Sequence, residues 1–360
     1  MVILHISSIA NDSFSGVSVV VPQYIKGQAK SGHIVALLNV SGIRIKGMEE
    51  WQLKTENKIV IDELEKPFNR PDLVVFHECY RKAYIGIWPQ LKKRGIPYVV
   101  LPHGELGEAA QRKKWLKKKV ANLLLFNRFV NNAVAVQCLS KREIETTYFG
   151  KKKILATNGV DIPEMSKKLF SKSCVKITYI GRLDAYHKGL DLLIGAVASI
   201  HNRLSGVEVN IFGPDIYGRK AHLEELVKRF NVEDVVRIHP EVTGQEEQRI
   251  IMDTDIFIQT SRFEGMPLGL LEAMSYGIPC IASEGTTLAE EIEKAEAGWN
   301  AGACSETIAE TIVRAVEERA EWKRFGLNGR ALIADKYSWD VVTRGTISEY
   351  SKLLLQQKVG

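Results

Sequence analysis

Glu264 and Glu272 stand with seven residues between them in SRFEGMPLGLLEAMSYGIPCIAS, residues 261–283, where almost everything else is apolar, Gly or Pro. Carboxylates rarely enter such surroundings without a partner. The run 255–261 reads as a strand, which puts Glu264 in the loop above it. Pro267 suits the first turn of a helix, because its missing N–H has no helical partner there. That helix is predicted to reach Tyr276 and stop at Gly277. The amides of Leu268 and Gly269 then lie in its first turn, free to meet an anion. Glu272 falls about one and a half turns further on, where a carboxylate is a natural acceptor for a pair of sugar hydroxyls. The plainer alternative makes Glu264 a capping residue and Glu272 a solvated helix position.

A second cluster lies in YIGRLDAYHKGLDLLIGAV, residues 179–197. A strand ends at Gly181, Arg182 follows at once, and Lys188-Gly189 opens a helix. Free amides at a helix start with two cations beside them favour a phosphate or diphosphate. The alternative is a surface loop with solvated charges. Neither G-x-G-x-x-G nor G-x-x-x-x-G-K-[ST] occurs here, so dinucleotide and Walker-type sites are not indicated. Asp253 and Asp255 spell Asp-x-Asp, but the first ends a predicted helix and the second opens a strand, so the pair reads as structural and no metal is expected.

The elements that must position these residues alternate between strand and helix. Strands are predicted over 2–7, 33–40, 72–77, 97–102 and 133–140, and again over 175–181, 207–213, 235–240, 255–261 and 278–283. Helices lie between them, at 17–32, 82–95 and 112–129 in the first half, with Pro22 and Pro89 weakening the first two. This alternation argues for an α/β chain with parallel sheets covered on both faces. With 360 residues the chain is too long for one ordinary core. Two Rossmann-like domains fit, with a polar break at 158–173. In open α/β sheets ligands sit at the carboxyl ends of strands, where both clusters fall.

Composition removes several classes. The five cysteines are scattered, without a C-x-x-C or His/Cys cluster, so neither a disulfide framework nor a zinc site is indicated. No apolar run approaches the ~20 residues of a membrane span. The start, MVILHISSIA, lacks a basic n-region, so no signal peptide is expected and a cytoplasmic location is. Residues 1–160 carry 25 Lys and Arg against 13 Asp and Glu, a net of +12, whereas the remainder carries 24 against 30, a net of −6. The two halves therefore differ in partner. The basic charge concentrates in QRKKWLKKKVANLLLFNRF, residues 111–129, which suggests an amphipathic helix on an anionic membrane surface. Its alternative is a solvated helix whose ANLLLF part packs on the sheet. Trp115 alone gives little for stacking bases, so nucleic acid is not expected.

With both clusters in view, the chain resembles the retaining glycosyltransferases of the GT-B fold, in the large family 4 group that carries a Glu-x7-Glu motif. EGMPLGLLEAMSYGIPCIAS is similar to that motif and GRLDAYHKGLDLL to its companion phosphate loop; NGVD at 158–161 and YSWDVV at 337–342 extend the likeness along most of the chain. The resemblance implies two Rossmann-like domains with parallel sheets facing across a cleft: an acceptor-side domain 1–165, a nucleotide-sugar domain 166–338, and a helix 339–360 that crosses back to the first. It implies that Arg182 and Lys188 hold the donor diphosphate, that Glu264 contacts the donor sugar, that Leu268 and Gly269 offer amides, and that Glu272 binds the ribose hydroxyls. The base would lie near Glu241 and Val242. His103, in LPHGEL, matches the family's His-Gly step, where the histidine lies near donor sugar and acceptor. Of the family's Gly-Gly pair after the first strand, Ser15-Gly16 retains only Gly16.

The implied reaction moves a sugar from a nucleotide sugar, UDP- or GDP-linked, to a hydroxyl of a glycan or lipid-linked acceptor, in polysaccharide or glycolipid assembly, with retention and with no cofactor or metal. Two alternatives stand beside it. One is a non-catalytic relative that binds or scaffolds at a membrane, possessing the fold alone. The other is a different GT-B sugar-nucleotide enzyme; a phosphorylase needs a lysine for pyridoxal phosphate in a fitting motif, and an epimerase would lack the paired motifs.

Overall fold

The computed structural model describes all residues except 13, 14, 56, 57, 113, 114, 172, 217 and 360. The chain forms two compact units: Met1–Asn158 together with Trp339–Gly360, and Gly159–Ser338. The division falls within the polar stretch that interrupts the strand–helix rhythm. Val160 N donates to Tyr337 O at 2.8 Å, so the outgoing and returning strands of the chain are paired.

The first unit holds a six-stranded sheet of β1 (Val2–Ser7), β2 (Ile34–Asn39), β3 (Leu73–His77), β4 (Tyr98–Leu101), β5 (Ala135–Cys138) and β6 (Lys153–Leu155), in the order β2-β1-β3-β4-β5-β6. Every pairing is parallel. The strands are buried on both faces, which is why they read as continuous apolar runs. Helix Gly16–Lys30 runs through Pro22, and Lys82–Lys93 through Pro89. Burial of Val20, Val21, Tyr24 and Ile25 in the first, and of Tyr84, Ile87 and Leu91 in the second, outweighs the lost backbone bond. Helix Trp339–Val359 packs on Gly16–Lys30. The approach is close: a Cβ on Gly27 would stand 2.4 Å from Thr343 Oγ1.

The second unit repeats the plan with β7 (Val175–Ile180), β8 (Val207–Phe212), β9 (Val236–His239), β10 (Ile256–Gln259), β11 (Cys280–Ala282) and β12 (Gly298–Asn300), ordered β12-β11-β10-β7-β8-β9 and again all parallel. Helix Gln245–Asp253 precedes β10 and helix Leu268–Ser275 follows it. Asp255 is wholly buried; it accepts from the amides of Ser171 (2.8 Å) and Lys176 (3.0 Å) and pairs with Lys167, which makes it a structural anchor. β6 and β12 escape the sequence reading because each is a three-residue strand at a sheet edge.

Candidate functional site

β7 ends at Ile180, and the loop beyond it is fixed by its own polar groups. Tyr179 Oη donates to Arg182 O at 3.0 Å. Asp184 accepts from the His187 amide through Oδ1 (3.0 Å), and its carbonyl accepts from the Lys188 amide (3.0 Å). Arg219 pairs with the other carboxylate oxygen of Asp184. Gly189 then turns with φ 63°, and a Cβ there would stand 2.0 Å from Thr260 O. Only glycine fits so close to a neighbouring backbone in that conformation. Thr260 Oγ1 donates to Gly189 O at 2.9 Å, tying the loop to the end of β10.

This tie brings Lys188 against Glu264. The two form an ion pair with side chains 13% and 10% exposed. The same Glu264 oxygen accepts from Ser261 Oγ (2.7 Å) and Gln259 Nε2 (3.2 Å). Burial pushes this carboxyl up, but the Lys188 ammonium, His187 and the hydroxyl outweigh it and hold it below the usual carboxylate range. Glu264 is thus an ionised, oriented group and not a helix cap. The loop that carries it is held on both sides: His187 Nε2 lies 2.9 Å from Phe263 O with the two rings stacked, and Arg262 grips Asp191 with two bonds of 2.7 and 2.9 Å.

Helix Leu268–Ser275 starts after Pro267 and gives way at Gly277, which has φ 79°. Among the described residues the amides of Leu268 and Gly269 have no hydrogen-bond acceptor. A Cβ on Gly269 would stand 3.1 Å from the Phe257 ring, so glycine lets the helix start lie on the strand ends. The Glu272 carboxylate is partly buried and receives no hydrogen bond among the described residues. Burial, then Asp161, pushes its carboxyl up. Glu247 joins it from helix Gln245–Asp253: burial, Glu272 and Glu241 raise that carboxyl to about 7. An under-donated carboxylate in such surroundings is suited to neutral hydroxyl donors. Arg182 is exposed and makes no salt bridge among the described residues.

Gly16 and His103 belong to the first unit. Gly16 opens helix Gly16–Lys30 behind Ser15, whose amide donates to Asp12 Oδ1 at 2.8 Å; Phe14, beside it, lies outside the described residues. His103 follows β4 with φ 50°, and the next amide, Gly104, donates to the buried Glu143 at 2.8 Å. His103 Nε2 lies 3.0 Å from His77 Nδ1. His77, at the end of the strand predicted over 72–77 and not counted among the site residues, is the buried last residue of β3. Asp184, Thr260, Ser261, Gln259 and Arg262 were missed as well. Their one sequence signal is their place within a few residues of Lys188 and Glu264.

The basic segment behaves differently from its packed alternative. In helix Trp115–Ala121 and the turn after it, Trp115, Leu116, Val120, Leu123, Leu124 and Leu125 are exposed, Leu123 to 73%; Asn122 and Phe126 are buried. Lys113 and Lys114 of this segment lie outside the described residues. Among the described residues no helix is long and apolar enough to cross a membrane, and no cluster of His, Cys, Asp and Glu could hold a metal.

Residues 174–318 match the family described as Glycosyl transferases group 1. The second unit carries a glycosyltransferase group 1 domain. Lys188, Glu264 and Glu272 all belong to this glycosyltransferase domain. A putative colanic acid biosynthesis glycosyltransferase, WcaL of Escherichia coli K12, is 26% identical over 45% of this chain and 39% of its own length. An MMP α-(1→4)-mannosyltransferase of Mycolicibacterium hassiacum is 24% identical over 50% of this chain and 43% of its own. The chain thus spans less than half the length of these two curated relatives. Among solved structures, sucrose-phosphate synthase of Thermosynechococcus elongatus superposes with a TM-score of 0.77 at 16% identity, over 98% of this chain and 99% of that one. Anabaena HepE, in complex with UDP and glucose, gives 0.72 at 16%, over 98% and 100%. The fold surrounding the glycosyltransferase domain is therefore GT-B.

Proposed function

We propose that the protein is a retaining glycosyltransferase that moves a sugar from a nucleotide sugar to a hydroxyl of a glycan or lipid-linked acceptor in polysaccharide assembly. The observation that carries this reading is the Lys188–Glu264 pair beside the unpaired amides of Leu268 and Gly269, with Glu272 lacking donors about one helical turn on. Cation and amides suit a diphosphate. Glu272 suits the ribose hydroxyls and Glu264 the donor sugar. In the transfer, the bond from the anomeric carbon to the diphosphate oxygen breaks. The acceptor oxygen bonds to that carbon on the same face, and its proton leaves with the nucleoside diphosphate. Lys188 and Arg182 stabilise the charge that develops on the leaving group, where fixed cations act most strongly. Gly16 leaves room for the donor, and His103 serves the sugar from the first unit. The colanic acid relative supports the polysaccharide setting, and the UDP complex of HepE makes a UDP-sugar the first donor to try, ahead of a GDP-sugar.

Thermal unfolding with UDP, GDP, ADP and CMP tests the donor site. One nucleotide should raise Tm in the wild type and fail to do so in Glu272→Ala, because a ligand of the folded state stabilises it by about 2.7 kcal/mol at a hundredfold excess over Kd. No shift with any nucleotide removes the assignment.

The acceptor end reads as membrane-held. Trp115, Leu116, Val120 and Leu123–Leu125 form an exposed apolar row among lysines, which matches an anionic lipid surface. Flotation with anionic vesicles at low salt should carry the protein upward, and Leu123→Asp with Leu124→Asp should abolish this. Failure of the wild type to float ends the reading. No nucleic-acid partner is proposed.

A further inference from the structure

The first unit contains a hydrogen-bonded row of four side chains that ends at His103. Gln28 Oε1 lies 2.9 Å from His5 Nε2, His5 Nδ1 lies 2.8 Å from His77 Nε2, and His77 Nδ1 lies 3.0 Å from His103 Nε2. The rings stack in sequence, at 5.1 Å between His5 and His77 and 5.3 Å between His77 and His103. Sheet register explains the row. His5 of β1 lies opposite Val75 of β3, and His77 lies opposite Leu101 of β4. Val75 and His77 are two apart and share a face, so His5 and His77 stand on one side of the sheet, and the turn after β4, with φ 50° at His103, brings the third ring onto the row. Helix Gly16–Lys30 closes that side and supplies Gln28.

Gln28, His5 and His77 are wholly buried. Burial keeps the imidazoles neutral, with His5 down to about 4, His103 to about 3 and His77 well below its ordinary value. A neutral imidazole has one donor and one acceptor. His5 and His77 each spend both ring nitrogens within the row, so one choice of tautomer fixes the others. With Gln28 Oε1 facing His5, His5 must donate from Nε2 and accept at Nδ1. His77 must then donate from Nε2 and accept at Nδ1. His103 donates from Nε2, and its Nδ1 is left as a bare acceptor. A reversed row would put the proton on Nδ1 of His103. Gln28 therefore sets the polarity of a group three side chains away. Its amide nitrogen has no partner among the described residues.

We propose that Gln28, His5 and His77 are positioning residues that lock His103 in the Nε2–H tautomer, so that its Nδ1 accepts a hydrogen bond from a sugar hydroxyl. The tautomer claim concerns the first unit alone. Its use in catalysis rests on the reading of His103 given above.

The test is nitrogen NMR of the full chain labelled with 15N-histidine, with His103 assigned by its loss in His103→Gln. The expected wild-type spectrum shows His103 protonated at Nε2 and bare at Nδ1. In Gln28→Met, which keeps length but accepts no hydrogen bond from imidazole, His103 should shift to a mixture of tautomers. Release of nucleoside diphosphate from the donor chosen by thermal unfolding should fall roughly 10–100-fold in kcat, with KM within about twofold. A proton on Nδ1 of wild-type His103, or a charged ring, overturns the proposal without any variant. An unchanged Nε2–H tautomer in Gln28→Met overturns the role of Gln28. A tautomer that moves while kcat does not upholds the lock and overturns instead the placement of His103 in the reaction.

Discussion

The two units present chemistry of opposite kinds on the same scaffold. In the second, an ammonium and a carboxylate are held together at the ends of β7 and β10, both charged, with helix amides beside them. In the first, three imidazoles, from within β1, from the end of β3 and from the turn after β4, are held together, and burial keeps all three neutral. A parallel sheet gathers side chains at its carboxyl edge in both cases. What differs is how the gathered groups are compensated. Lys188 and Glu264 compensate each other, so charge survives burial and remains ready for an anion. The histidines compensate each other by hydrogen bonds alone, so what survives is direction and not charge.

The largest effect expected from this contrast is on turnover. Lys188→Ala should lower kcat by about 10²–10³-fold, because it removes a fixed charge from the leaving group. It also leaves Glu264 buried without its cation. Steady-state kinetics at saturating donor check this, and a loss confined to KM would break the contrast by making the pair a binding device only. Glu272→Ala should come next, weakening nucleotide affinity by about 10–100-fold through lost charge-assisted bonds while sparing the fold. Titration calorimetry reads it. Gly189→Ala should cost about 1–3 kcal/mol in chemical denaturation, because the φ of 63° and the Thr260 carbonyl both exclude a Cβ. If that variant is fully stable, the tie that brings Lys188 to Glu264 is not what fixes them.

The smallest effect is a pH slope. Glu247 holds its proton up to about 7 in the folded protein against 4.5 for the free group. The folded state binds more protons in that window, so stability falls as pH rises through it. Glu247→Gln abolishes the slope, and its Tm advantage over wild type should open as pH climbs from about 4.5 to about 7. A gap that stays constant with pH would place Glu247 in open solvent and separate it from Glu272.

Sequence showed the second unit's site more fully than the first's, for a physical reason. Glu264, Pro267, Gly269, Glu272 and Gly277 sit within one strand–loop–helix, so local rules of capping and turn chemistry reach all of them. Arg182 and Lys188 likewise follow a single strand. The meeting of Lys188 with Glu264 spans 76 residues and depends on Gly189 abutting Thr260, which spacing does not reveal. The histidine row spans 72 residues from His5 to His77 and a further 26 to His103, and it exists only through the register of three strands. The strand end at His77 was legible, but its partnership with His5 and His103 was not. The strands themselves were legible from buried apolar runs, apart from the short edges β6 and β12. The ANLLLF segment divides between the two alternatives: Asn122 and Phe126 pack inward while Leu123, Leu124 and Leu125 face outward, because apolarity alone does not say which side of a helix meets the core.

Helix Trp339–Val359 completes the unit that begins at Met1: it packs on Gly16–Lys30, and Tyr350 Oη donates to Gln137 at 2.6 Å inside that unit's core. The second unit is continuous in sequence and the first is not. During synthesis the ribosome therefore releases every residue of the second unit before the first has its closing helix. The first unit therefore matures after the second, and the helix bearing Gln28 waits, one face uncovered, until Trp339–Val359 has been made.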